Sequence, residues 1–160
     1  MDIRLANLGD IPVIVDLLRQ VGQVHHLIRS DIFPDGCQKY DETELAALLE
    51  DAMRPVFVAA AEGTVLGYCF CKLRQFEESP VAVQRKELYI DDLCVDEAHR
   101  GKGIATALYR YVMDYATANG FDSVTLNVWC GNDNAMAFYE KMGMRPRNIT
   151  MEAKILKCDK

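Results

Sequence analysis

Hydrophobic positions along this chain switch between a period of two and a period near 3.6, and the switches mark its elements. Residues 3–6 alternate and predict a short strand. Asp10 stands where it would cap a helix with Pro12 in its first turn and a buried stripe of Ile14, Leu17, Leu18 and Val21. Residues 23–40 are less regular, with room for a second short helix and a Phe33-Pro34-Asp35-Gly36 turn signal. Asp41 with Glu44 makes a capping-box pattern and opens a helix to about Met53. An apolar strand over 56–61, a turn at 62–64 and a strand over 65–73 follow. Residues 75–86 are polar, contain Pro80 and predict a loop, and 88–95 is a third long strand. Ile104, Leu108, Tyr111, Val112 and Tyr115 predict a helix over 101–119, ended by Gly120. A strand over 123–129, a helix over 134–142 stopped by Gly143 and an alternating strand over 149–156 complete the chain.

The strands come first as a meander and later as a strand–helix–strand crossover. That order predicts an α/β (α+β) fold: one mixed, largely antiparallel sheet flanked by helices on both faces. The crossover from residue 88 through the helix to residue 129 should be right-handed. Length sets the expectation of a single domain over 1–160, large enough to bury a core without staples.

Composition narrows the function classes. Half the residues are hydrophobic and 26% are charged, as in ordinary globular proteins. No apolar run approaches the roughly 18–20 residues that cross a bilayer, and the start Met1-Asp2-Ile3-Arg4 lacks a secretion signal, so the expectation is a cytoplasmic protein without a membrane partner. A formal charge of −6 argues against nucleic acid as a partner and mildly favours a cationic substrate. The six cysteines are scattered. Cys69 and Cys71 share one face of a strand, but no second pair stands at metal-ligand spacing, so they read as buried free thiols and no metal is expected.

The most informative stretch is Val95-Asp96-Glu97-Ala98-His99-Arg100-Gly101-Lys102-Gly103-Ile104-Ala105, a strand running through a Gly-rich turn into a long helix. Free N–H groups and the helix dipole converge there, glycines let a ligand approach the backbone, and Arg100 and Lys102 add positive charge: a phosphate site by physics. Spacing rejects three rivals. A P-loop needs Lys-Ser or Lys-Thr directly after its second Gly, a dinucleotide fingerprint needs Gly or Ala where Thr106 stands, and a kinase Gly loop joins two strands.

The stretch Arg100-Gly101-Lys102-Gly103-Ile104-Ala105 resembles the coenzyme A pyrophosphate loop of the GNAT superfamily of N-acetyltransferases. Tyr89-Ile90-Asp91-Asp92-Leu93-Cys94-Val95 is similar to that family's fourth strand. Asn132-Asp133-Asn134-Ala135-Met136-Ala137-Phe138-Tyr139-Glu140-Lys141-Met142-Gly143-Met144 is similar to its second hallmark. Residues 87–144 carry the close match, and residues 1–86 share only the order of elements. The resemblance implies the GNAT acyl-CoA N-acyltransferase fold, acetyl-CoA as cosubstrate and no metal. It places the pyrophosphate on Arg100 to Ala105, and the pantetheine arm along Leu93, Cys94 and Val95 like an added strand. Asn132 would hydrogen-bond that arm or cap the helix beside it.

The implied chemistry is direct attack of an amine on the thioester in a ternary complex. Tyr139 matches the family's general acid, against packing beside Phe138 as the other reading. The backbone N–H near Leu93 would hold the developing oxyanion. Asp91 matches an acidic residue of spermidine/spermine-type acetyltransferases, as base or relay or as a binder of a cationic acceptor, and Asp92, on the opposite face, would bind substrate. Ribosomal N-terminal acetyltransferases place a Glu where this chain has Asn127. His25, His26, Arg29, Asp31 and Phe33 are candidates to line the acceptor pocket, with His26, Arg29 and Phe33 foremost, and Trp129 lies either in the core or near the cleft. The acceptor is expected to be a small-molecule or peptide amine, with a homodimer the assembly the family favours. A non-catalytic acyl-CoA sensor module and a protein Lys or N-terminal acetyltransferase are the alternatives.

Overall fold

Alternation along the central strands sorts the core into two layers. The computed structural model describes residues 1–155. Five strands, β1 (Asp2–Leu5), β2 (Val56–Ala61), β3 (Thr64–Phe76), β4 (Arg85–Val95) and β5 (Ser123–Leu126), lie side by side in that order. The first four pair antiparallel and β5 runs parallel to β4. Val56, Val58, Tyr68, Phe70 and Cys94 face helices α1 (Ile11–Ile28) and α2 (Glu42–Leu49), meeting Ile14, Leu18, Leu45 and Leu48. Phe57, Ala59, Cys69, Cys71, Leu88 and Ile90 face the other way, towards α3 (Ile104–Ala118) and its Ile104, Leu108 and Val112. Helix α4 (Asp133–Lys141) lays Phe138 and Tyr139 against this second layer. The observed fold is the predicted mixed sheet with helices on both faces. Among the described residues no helix is long and apolar enough to cross a membrane.

Several boundaries differ from the sequence pattern, each for a local reason. Helix α1 runs unbroken to Ile28. Gly22 within it leaves room for the Cys37 carbonyl, which would lie only 2.0 Å from a Cβ there. Helix α2 has its capping box but ends at Leu49, because Asp51 turns the chain by accepting the Met53 N–H. The β3–β4 hairpin extends into the predicted loop, where the Arg85 guanidinium stacks 4.0 Å from the Phe76 ring centroid. The predicted strand over 149–156 is not formed in its described part: residues 149–155 pair with no strand, and Ile149, Met151 and Ile155 are exposed. Residue 156 lies outside the described residues.

Asp10 does not cap α1 with its side chain. It is buried instead, accepting from Arg4 Nη1 at 2.7 Å, Arg4 Nη2 at 2.9 Å and the Asn7 N–H at 2.8 Å. The Arg4 hydrogen bond holds its carboxyl below the ordinary aspartate value, outweighing burial. The contribution to stability is therefore complete above about pH 4 and is lost as pH falls through the lower folded value. Asp10→Asn is expected to lower stability by about 1–2 kcal/mol at pH 7. The gap to the parent should narrow in urea melts below pH 4; a gap that does not change with pH would show that the ion pair is not its source.

Candidate active site

The site is built on an irregularity in β4. Phe70 pairs with Asp92 and Cys71 with Ile90, so Asp91 is an extra residue in the ladder, a β-bulge. Strand β5 follows β4 only from Glu87 to Ile90. Beyond the bulge β4 has no strand neighbour on that side among the described residues. The Asp96 N–H donates to Leu66 O on β3 at 2.9 Å. Alternation then directs the backbone groups of Asp92 and Cys94 towards β3, and those of Leu93 and Val95 into the gap. Val95 O accepts from Arg100 Nε at 3.2 Å. Cys94, grouped by sequence with Leu93 and Val95, turns away: its thiol donates to Leu17 O at 3.6 Å, and burial pushes it up to about 12. By this alternation Leu93 and Val95, and not Cys94, present backbone to the gap.

The gap leads to the Gly-rich turn. Asp96 fixes the approach, accepting from Gln20 Nε2 at 3.2 Å and contacting His99 Nδ1 at 2.8 Å. Gly101 and Gly103 adopt φ of +76° and +81°, left-handed backbone that ends any helix before Ile104 and shortens the predicted one by three residues. A Cβ on either glycine would meet nothing, so both face open space. The N–H groups of residues 101–106 find no acceptor among the described residues. Lys102 Nζ reaches back to Ala98 O at 3.3 Å. Clustered free N–H groups at the start of an α-helix, with Arg100 and Lys102 beside them, form a cradle for a phosphorylated group.

Helix α4 enters from the second layer. Asn132 Oδ1 accepts the Ala135 N–H at 3.2 Å, so the cap is real, while its Nδ2 has no partner among the described residues. The Tyr139 ring packs 5.0 Å from Phe138 and 6.3 Å from Tyr109. Burial, with Cys69 and Asp92 nearby, raises its phenol well above the ordinary tyrosine value. The hydroxyl takes no hydrogen bond among the described residues and is protonated at neutral pH. Cys69 and Cys71 are buried free thiols with sulfurs 3.8 Å apart.

The two acids lie on one side of the sheet, not on opposite sides as strict alternation predicts. Asp92 Oδ2 accepts from the buried Tyr68 hydroxyl at 2.8 Å. Asp91 Oδ2 accepts from Lys39 Nζ at 2.8 Å, on the loop between α1 and α2. The bulge spends one residue without crossing the sheet, and so brings both carboxylates to the α1–α2 side. Enclosure by protein raises the Asp92 carboxyl above the ordinary aspartate value, against the pull of the Tyr68 hydrogen bond, Lys39 and His25.

Beyond the acids an aromatic wall forms. Phe33 stacks 5.0 Å from His25 and meets Trp129 edge-on at 5.2 Å. The Arg29 guanidinium lies 5.8 Å from Trp129, fixed by Asp31 at 2.9 Å and Glu152 at 3.0 Å. His26 Nδ1 bonds the Phe33 carbonyl at 2.8 Å, holding the loop. Phe33 and Trp129 thus come together, while His26 and Arg29 are committed to neighbours. Lys39, Tyr68 and His25 complete the surroundings of the acids; nothing in their sequence spacing connects them to residues 91 and 92.

Comparisons with known proteins follow the same lines. The model of the acetyltransferase (GNAT) family matches residues 22–144. A probable N-acetyltransferase, family 8 member 5, of Mus musculus is 28% identical over 121 residues, 76% of this chain and 52% of that protein. The chain spans about half or less of the length of the curated relatives it matches first. A mutant of the BH1408 protein of Bacillus halodurans aligns with a TM-score of 0.93 at 34% identity, covering 98% of this chain and 100% of that one. An aminoglycoside acetyltransferase from an uncultured soil metagenomic sample shares the fold, with a TM-score of 0.72 at 23% identity over 98% of this chain and 96% of that one.

The Tyr68 hydroxyl opposes the upward shift at Asp92, so Tyr68→Phe is expected to raise that carboxyl further. Carboxyl-carbon NMR titration checks this; an Asp92 signal titrating at or below the ordinary aspartate value in the parent would contradict the arrangement.

Proposed function

Because the chain belongs to the GNAT acetyltransferase family, we propose that it moves an acetyl group from acetyl-CoA to a primary amine by direct attack in a ternary complex. One observation carries this reading: an open strand edge at Leu93 and Val95 runs directly into a cradle of free N–H groups over residues 101–106. A carrier with an amide-bearing arm and a pyrophosphate needs both, in that order. The Leu93 carbonyl and the Val95 N–H, both directed into the gap, pair with the arm as an added strand would. The cradle receives the pyrophosphate, assisted by Arg100 and Lys102. The unused Nδ2 of Asn132 remains a donor for the arm while Oδ1 caps α4.

Each step then has a residue. The Leu93 N–H, directed into the gap, stabilises charge on the acetyl oxygen. Asp92, in place of the Asp91 that the family resemblance suggests, takes the proton of the incoming ammonium. Its raised carboxyl makes it a better acceptor than an ordinary aspartate, and Asp91, tied to Lys39, serves in binding the cationic acceptor. Tyr139 supplies a proton to the departing sulfur, a role suited to a phenol kept neutral by burial. Paired acids beside the Phe33–Trp129 wall favour a small cationic amine as acceptor.

A panel of polyamines, aminoglycosides, amino acids, amino sugars and peptides, incubated with acetyl-CoA and read by mass spectrometry, tests the proposal. Acetylation of a cationic amine is the expected result. Binding of acetyl-CoA without turnover of any class would favour a sensor, and absence of binding would contradict the reading. With the acceptor found, Tyr139→Phe is expected to lower kcat about a hundredfold or more while acetyl-CoA affinity is kept. Full kcat in that variant would remove Tyr139 as the acid.

A further inference from the structure

The loop between α1 and α2 delivers an amine to the acids. Lys39 Nζ donates to Asp91 Oδ2 at 2.8 Å and to the Asp91 carbonyl at 3.3 Å. The loop itself is built: Gln38 Nε2 donates to Tyr40 O at 2.7 Å, Arg54 donates to the Tyr40 hydroxyl at 2.6 Å, and the Tyr40 ring lies 5.8 Å from Phe70. The Lys39 ammonium sits 5.7 Å from the Tyr40 ring centroid. A primary amine is therefore held one residue from Asp92 and two from Leu93. Two residues of strand span about 6–7 Å, within the swing of a flexible four-carbon stem.

Resting on the transferase reading above, we propose that Lys39 is an acceptor for the chain's own acetyl transfer. Lys39 stands where that reading places the amine of an external substrate, and its side chain is 39% exposed, so its stem is free to swing. The step balances without a further reagent. The Lys39 ammonium passes one proton to Asp92, which later returns it to water. The neutral Nζ attacks the acetyl carbonyl of acetyl-CoA, the N–C bond forms and the C–S bond breaks. Tyr139 protonates the departing sulfur, giving coenzyme A as its thiol, and recovers a proton from the acetylated nitrogen through water. The product is an uncharged amide at Lys39. It can no longer pair ionically with Asp91, which leaves that carboxylate to an incoming cation.

The test uses the intact chain with acetyl-CoA at neutral pH, in time courses at two protein concentrations, with one panel amine in the same tube. Peptide mass spectrometry follows Lys39 against the exposed Lys72 and Lys141. Lys39 is expected to gain one acetyl group about a hundredfold faster than either, the low end of what positioned acid and base groups contribute. Its rate constant should not depend on protein concentration, Lys39→Arg should abolish the modification, and Tyr139→Phe should slow it to the rate of Lys72. Lys39 remaining at the level of Lys72 and Lys141 while the panel amine is acetylated would overturn this proposal and leave the transferase reading standing. Modification that scales with protein concentration, or that proceeds at the parent rate in Tyr139→Phe, would also overturn it. No acetylation of Lys39 or of any amine would remove both readings together.

Discussion

One extra residue in β4 organises the site. Without the bulge at Asp91, β4 would keep its register with β3, and its two acids would fall on opposite faces of the sheet. With it, Asp91 and Asp92 both reach the α1–α2 side, where Lys39 and Tyr68 meet them. The pairing of β4 with β5 ends at the same level, at Ile90 and Leu126. A sheet edge in mid-sheet is ordinarily a liability, because it exposes unpaired backbone. Here that edge leads into the free N–H groups at the start of α3, so the two kinds of unsatisfied backbone form one continuous surface.

Charge is arranged locally against the overall balance. The chain carries a net −6, yet its phosphate cradle is built from backbone dipoles, Arg100 and Lys102. Asp92 and Tyr139 face opposite core layers, yet the Asp92 charge adds to the upward shift that burial gives the Tyr139 phenol. Burial keeps the phenol neutral and raises the carboxyl, which separates a proton donor from a proton acceptor in one site. Asp10 shows the contrasting case. Two hydrogen bonds from Arg4 outweigh the cost of its burial, and its role is structural.

What the sequence made legible was whatever is local. The Gly-rich turn, the Asn132 cap and the shared face of Cys69 and Cys71 follow from spacings of a few residues, and the structure keeps them. The bulge leaves no such trace, since Ile90 to Val95 reads as one regular strand, whose alternation predicts Asp91 and Asp92 on opposite faces. Lys39, Tyr68 and His25 reach the acids only through tertiary packing, and no spacing connects them. Polar composition hid the long β3–β4 hairpin, whose end is held by Arg85 stacking on Phe76 rather than by apolar alternation. The converse error lies at 149–155. Alternation is present there, but no strand partner is, and Glu152 and Lys154 instead pair with Arg29 and Asp31.

Amide hydrogen exchange resolved by residue tests the central claim, that acetyl-CoA pairs with the open edge of β4. In the free protein the Leu93 and Val95 amides, directed into the gap, should exchange much faster than the Asp92 and Cys94 amides directed towards β3. Saturating acetyl-CoA should slow Leu93 and Val95 and leave Asp92 and Cys94 as they were. Unchanged exchange at Leu93 and Val95, with acetyl-CoA shown to be bound, would contradict the account.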